Sequence, residues 1–280
     1  MKIVALFVAL LAVLAGWSLS RPRDHTLTTD QNDDAVIRSA ATEPRSAVLV
    51  ELFTSEGCSS CPPADRLLAD LERKQPVEGA LVIPLSEHVD YWNRLGWTDP
   101  YSSRLFSDRQ SEYARALGSE RVYTPQMVVD GRYEFVGNDG AKSREVIAGA
   151  ARGSKANVVI DRDESVPGTM RGDLSVRVRV ERLPDLEEVD GAEVLLAITE
   201  GPVYSMVARG ENAGSRLSHI AVVRSLNTIG KIKSREAGFS ARRVVRLDPR
   251  WHRANLRAVA FVQATKSRTV LGAATASLAE

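Results

Sequence analysis

No excess of charge of either sign marks this sequence. Its 37 Lys and Arg stand against 36 Asp and Glu, a formal net charge of +1 over 280 residues. That balance gives no global attraction for nucleic acid or an acidic surface, and both are set aside as partners. Catalytic signatures are scarce as well. There is no serine–histidine–acid spacing, no paired-carboxylate motif and no nucleotide fingerprint. The glycine-rich stretch Gly210-Glu211-Asn212-Ala213-Gly214 lacks a following Lys-Ser or Lys-Thr and lies among strands, so it reads as a turn. The four histidines, His25, His88, His219 and His252, are scattered rather than spaced as a ligand pair. His219 and His252 read as structural, and Arg242-Arg243 with Arg246 as a solvated strand face. Neither a metal nor a cofactor is expected.

A long apolar run is also missing. Ile3 to Trp17, opened by Lys2 and closed by Ser18-Leu19-Ser20-Arg21, is shorter than the ~20 residues that cross a bilayer comfortably. Its basic start, apolar middle and small residues fit a secretory signal over 1–20. Ser18-Leu19-Ser20 only approximates a cleavage site, which leaves an uncleaved anchor as the rival, and with it the sole expected contact with a membrane. Residues 21–45 hold Asp24, Asp30, Asp33 and Asp34 with little apolar material and read as a disordered spacer. The expected location is exported, either periplasmic or secreted, where disulfides persist.

Against these absences stand the only two cysteines, in Cys58-Ser59-Ser60-Cys61. They follow the apolar run Val48–Phe53 and precede Pro62-Pro63-Ala64-Asp65. A strand, a thiol turn and a helix would set the first sulfur at a helix N-terminus, where unpaired N–H groups and the macrodipole favour a thiolate. A disulfide closing so short a loop restricts the unfolded chain very little, so stapling is a poor use of the pair. Dithiol chemistry is therefore favoured over a metal site or an inert pair. Cys58 is expected to be exposed and to attack, and Cys61, more buried, to resolve the mixed disulfide.

Around this turn the pattern reads strand Val48–Thr54, helix Pro63–Arg73 opened by proline, strand Ala80–Ser86, helix Ser103–Leu117 ending at Gly118, a hairpin over 126–136 turned by Asp130-Gly131, and helix Lys142–Ala151. Beyond Lys155 the character changes. Asp173–Glu181 alternates strictly, and looser alternation recurs at 194–199, 219–223, 242–247, 256–263 and 270–276. The expectation is an α/β domain over 46–153 followed by an all-β sandwich over 154–280.

Val50-Glu51-Leu52-Phe53-Thr54-Ser55-Glu56-Gly57-Cys58-Ser59-Ser60-Cys61-Pro62 resembles the active-site strand, turn and helix of the thioredoxin superfamily, closer to its glutaredoxin-like members. Together with His88–Trp92, Leu95–Pro100, Tyr123-Thr124-Pro125-Gln126 and 210–214, it is similar to a family of secreted thioredoxin-like proteins catalogued as a domain of unknown function. The resemblance implies a thioredoxin-like α/β fold and a cis Thr124–Pro125 loop facing the thiols, where a trans proline opening an edge strand is the plain alternative. Two departures matter. Leu52 replaces the buried carboxylate expected six residues before the first cysteine, with Glu51 on the other alternation, and Gly57 replaces a tryptophan. His88, Asp90, Tyr91 and Trp92 follow the second strand and are candidates for a substrate or thiolate-tuning loop, with His88 and Asp90 as a pair beside Cys58; equally, the aromatic residues of this loop could simply cap the core. The expected activity is an exported thiol–disulfide oxidoreductase acting on protein or small thiol/disulfide substrates. A Cu(I)-binding assembly module and an inactive structural envelope protein are the alternatives.

Overall fold

Strand β1 (Ser46–Thr54) is buried on both sides, and α1 (Pro62–Lys74) starts at two prolines, where a missing N–H costs nothing. These elements belong to a computed structural model that describes residues 45–119, 121–162, 173–183, 191–233 and 238–279. The expected signal segment, and the spacer up to residue 44, lie outside the described residues. Then follow β2 (Ala80–His88), α2 (Arg104–Leu117), β3 (Gln126–Val129), β4 (Tyr133–Val136), α3 (Gly140–Ala151), β5 (Asn157–Arg162) and β6 (Leu174–Glu181). The remaining strands are β7 (Ala192–Glu200), β8 (Val203–Met206), β9 (Arg216–His219), β10 (Val222–Ile232), β11 (Gly238–Val245), β12 (Leu256–Ala264) and β13 (Val270–Ser277). Ser103 and Asp139 cap α2 and α3 through their side chains, and Gly118 closes α2 in the left-handed region. Asp130 and Gly131, with φ of 48° and 62°, turn the β3–β4 hairpin as their types foretell.

The principal sheet has eight strands in the order β13-β12-β7-β10-β2-β1-β3-β4. β1 pairs with β2 in parallel, Ser46 opposite Ala80. β10 joins the other edge of β2 through Val222 opposite Ser86, and β7, β12 and β13 continue antiparallel from it. This corrects the expected fold class. The protein is not an α/β thioredoxin-like domain followed by an all-β sandwich: it is mostly β, with three α-helices among the described residues, and one mixed sheet draws strands from both sides of Gly153. The described residues belong to one compact unit. Hydrophobic periodicity reports which face of a strand is buried, not which neighbour it pairs with, so the junction of β2 with β10 had no signal in the sequence.

Both faces of β1 are covered. Val48, Val50 and Leu52 pack with Leu68 of α1 and Ile147 of α3, while Leu49 packs with Phe106 of α2 and Phe261 of β12. Coverage on both faces explains why β1 reads as a continuous apolar run. A separate three-stranded sheet, β11-β6-β5, lays the alternating valines of β6 over β7 and β12, and β8 with β9 forms a hairpin of its own.

Candidate functional site

The chain leaves β1 at Thr54 and turns through seven residues, 55–61, into α1. Gly57 N–H donates to Ser55 Oγ at 3.1 Å, and Cys58 and Cys61 N–H donate to the carbonyls of Ser55 and Cys58, each at 3.2 Å. Cys58 and Cys61 are joined as a disulfide with Cα atoms 5.4 Å apart. Cys61 is the N-cap residue of α1.

Two expectations about the sulfurs are corrected. Cys58 is not the exposed partner: both cysteines are 0% exposed, although Ser59 and Ser60 between them are open to solvent. Nor does α1 offer its first N–H groups to a thiolate. Pro62 and Pro63 have none, and Ala64 and Asp65 N–H both donate to the Cys61 carbonyl, at 2.8 and 3.1 Å. The polar group facing Cys58 is the Ser60 hydroxyl, 3.3 Å from Sγ. Above the turn lies the loop between β8 and β9. Asn212 Nδ2 donates to the carbonyls of Glu56 and Cys58 at 2.8 and 3.0 Å, and Glu211 Oε2 accepts from Ser59 N–H at 3.0 Å.

Of the sequence candidates, Trp92, Thr124 and Pro125 gather at the turn. Trp92 Nε1 donates to Thr124 Oγ1 at 2.8 Å, and a Cβ added to Gly57 would meet Trp92 Cβ at 3.2 Å, so glycine here admits the indole against the turn. The Thr124–Pro125 bond is cis. Gly137 sits between Pro125 and α1, where an added Cβ would lie 3.2 Å from Pro125 Cβ, 3.3 Å from Ala64 Cβ and 2.7 Å from Leu52 Cδ1. Gly137→Ala is therefore expected to destabilise the fold by about 1–3 kcal/mol through overpacking. An unchanged urea midpoint would show that this contact yields freely.

His88 belongs to the site with a different partner. Asp90 is engaged with Ser107, whose Oγ donates to Asp90 Oδ1 at 2.5 Å, and Tyr91 donates to Gln110 at 3.2 Å, so both tie their loop to α2. The expected His88–Asp90 pair is thus corrected to His88–Asp99, with Nδ1 2.7 Å from Oδ2 and both side chains fully buried. Burial opposes the Asp99 charge, but His88 and the N–H groups of Glu56 and Tyr101 outweigh it and hold its pKa below the usual value. The His88 ring lies 4.7 Å from that of His219 and 5.3 Å from that of Tyr101.

His219, read from sequence as structural, stands at the centre of this group. Its Nε2 is 3.4 Å from Glu56 Oε1 and its Nδ1 3.6 Å from Asp65 Oδ2, separations of an ion pair rather than of aligned hydrogen bonds. Burial disfavours the imidazolium, yet Asp65 and Glu56 more than compensate and push its pKa up to about 10. Trp97 Nε1 donates to the second Glu56 oxygen at 2.8 Å, and Thr54 Oγ1 to Asp65 Oδ1 at 3.0 Å. Glu56 and Asp65 went unnoticed in the sequence although they flank the thiols, two residues before Cys58 and one helical turn after Cys61. Glu211 and Asn212 lie in a stretch whose sequence signals a turn and contributes to the family resemblance, but gives neither side chain a role. Among the described residues no group of three or more His, Cys, Asp or Glu side chains is arranged to hold a metal ion, and no helix is long and apolar enough to cross a membrane.

Comparison with solved structures finds a protein from Agrobacterium tumefaciens, 26% identical, covering 82% of this chain and 94% of its own, with a TM-score of 0.63. HBP35 of Porphyromonas gingivalis, at 15% identity, covers 84% of this chain and 77% of its own with the same TM-score of 0.63, a likeness of fold alone. A search of curated proteins finds no match. The family model described as "Protein of unknown function (DUF1223)" matches residues 49–263, from the first core strand through the thiol turn to β12. On that span the chain belongs to the DUF1223 family.

Proposed function

We propose that this protein is an exported thiol–disulfide oxidoreductase working through Cys58 and Cys61 on a protein or small-molecule thiol or disulfide. One observation carries the reading: the only two cysteines are paired across a four-residue loop, where a disulfide contributes little to folding and is left free to serve chemistry. The local likeness of Val50–Pro62 to thioredoxin-superfamily turns supports it, as does the hydrogen-bonded approach of Trp92 and Thr124. Export rests on the character of residues 1–20.

In the disulfide form, a partner thiolate attacks Cys58 Sγ. The sulfur–sulfur bond breaks, its electron pair goes to Cys61 Sγ, and that thiolate takes up a proton. A second thiolate of the same partner then attacks the partner sulfur of the mixed disulfide and releases Cys58 as a thiolate, which the Ser60 hydroxyl is placed to receive. Net, Cys58 and Cys61 gain two electrons and, with Cys58 left as the thiolate, one proton from solvent, while the partner's two thiolates become a disulfide; a second proton is taken up only when the Cys58 thiolate is protonated, and the reverse sequence oxidises the protein. Glu56, Asp65 and His219 place a buried ionic group beside the turn, two residues before Cys58 and one helical turn after Cys61, where Leu52 supplies no carboxylate.

Insulin reduction in the presence of dithiothreitol tests the proposal. Wild type is expected to accelerate it, and Cys58→Ser to fall to the uncatalysed background. Equal rates with and without Cys58 would remove the enzymatic reading.

A further inference from the structure

The buried sulfurs pose a problem that the loop between β8 and β9 answers. This loop folds on itself: Val207 N–H donates to the Ser215 carbonyl at 3.0 Å, Gly214 N–H to the Val207 carbonyl at 2.8 Å, and Ser215 N–H to the Asn212 carbonyl at 3.0 Å. It projects from a two-stranded hairpin outside the eight-stranded sheet. The base of that hairpin is anchored, because His219 at the end of β9 is buried between Glu56 and Asp65. The tip is held differently. Its hydrogen bonds to the thiol turn are those of Asn212 to the Glu56 and Cys58 carbonyls and of Glu211 to Ser59 N–H, all made by side chains and none by a strand ladder. Gly210 and Gly214, both with φ of 81°, bracket the two residues that make them.

We propose that the loop 207–215 is a hinged cover over the dithiol, latched by Asn212 and Glu211, which must lift before a thiol reaches Cys58. The inference rests on the oxidoreductase reading for its purpose, though not for its geometry. Three hydrogen bonds hold the latch, and the carbonyls and amide that it occupies are backbone groups that water satisfies once the tip is raised. An anchored base with a weakly bonded tip makes opening a local event that leaves the sheet intact. The cover sets the rate of thiol exchange at Cys58 while leaving the chemistry of the two sulfurs unaltered.

The test follows reduction of the Cys58–Cys61 bond by excess dithiothreitol, whose two thiols close to a ring disulfide as the cysteines take up two electrons and two protons. It is run on wild type, Asn212→Ala and Glu211→Ala, with hydrogen exchange of the Ser59 amide measured in parallel. Losing the two Asn212 bonds should speed reduction about tenfold and deprotect Ser59 by a similar factor, given the modest net worth of each bond. Glu211→Ala, at an exposed side chain, should give a smaller gain of about threefold and decides the matter should Asn212→Ala fail to fold. Wild-type reduction rates in the folded variants, with or without faster Ser59 exchange, would overturn the cover. The two proposals fail separately. Faster reduction without insulin turnover in any variant keeps the cover and removes the enzyme, whereas turnover by wild type with no acceleration in either variant does the opposite.

Discussion

Arg109→Met should lower unfolding stability by about 3–5 kcal/mol at neutral pH, the cost of leaving a buried charge without its partner. Arg109 is 3% exposed and Glu51 0%. The guanidinium donates from Nε to Glu51 Oε1 at 2.7 Å and from Nη1 to Gln263 at 3.1 Å, and Tyr113 Oη donates to the other Glu51 oxygen at 2.5 Å. Glu87 lies beside the pair, 3.4 Å from Arg109 Nε, with burial and the neighbouring Glu51 charge raising its pKa well above the carboxylate range. One positive charge therefore serves Glu51, while burial and the Glu51 charge favour the neutral form of Glu87. Methionine keeps much of the volume, so the loss is electrostatic. Urea midpoints at constant m-value check this, and a loss below about 1 kcal/mol would show that this network is no more than locally adaptable. The network joins β1, β2 and α2 to β12, so its disruption should act on the whole unit rather than on one half.

The second large effect concerns pH. His219 has its pKa raised from 6.5 to about 10 in the folded state. The native protein thus binds a proton that the unfolded chain releases between those values, and stability must fall as pH rises across that window. The contribution is complete below about pH 6.5, declines at up to about 1.4 kcal/mol per pH unit, and is gone above about pH 10. Between pH 7 and 10 wild type should lose stability steeply and His219→Gln should not follow it. The variant should also be the less stable at pH 7, since Glu56 and Asp65 lose their cation. Parallel wild-type and variant curves over this range would place the proton elsewhere. Because His219 anchors the hairpin that carries the 207–215 loop, loss of its charge should also speed reduction of the disulfide.

Much of the first half of the molecule was legible from local chemistry. The two prolines after Cys61 start α1 where they were expected to, Gly118 ends α2, and Asp130-Gly131 turns the hairpin, because each of these signals acts through a backbone conformation within a few residues of itself. The strict alternation of 173–181 likewise yields β6 with its valines inward. Trp92, Thr124 and His88 were singled out and do gather near the thiols. Their partners were not foreseen: His88 takes Asp99 rather than Asp90, and His219 reaches Glu56 across more than 160 positions of sequence.

By itself the sequence determined the dithiol, the strand–turn–helix that carries it, and the faces that each strand buries. Only the tertiary structure decided that β10 joins β2, that one sheet unites what looked like two architectures, and that the side chains of Glu211 and Asn212 bond to the backbone of the thiol turn. The reason is physical. Side-chain periodicity and turn preferences are encoded within the reach of a few residues, whereas strand neighbours, buried ion pairs and the closing of a loop over a distant turn depend on packing free energies shared among segments whose separation along the chain leaves no local trace.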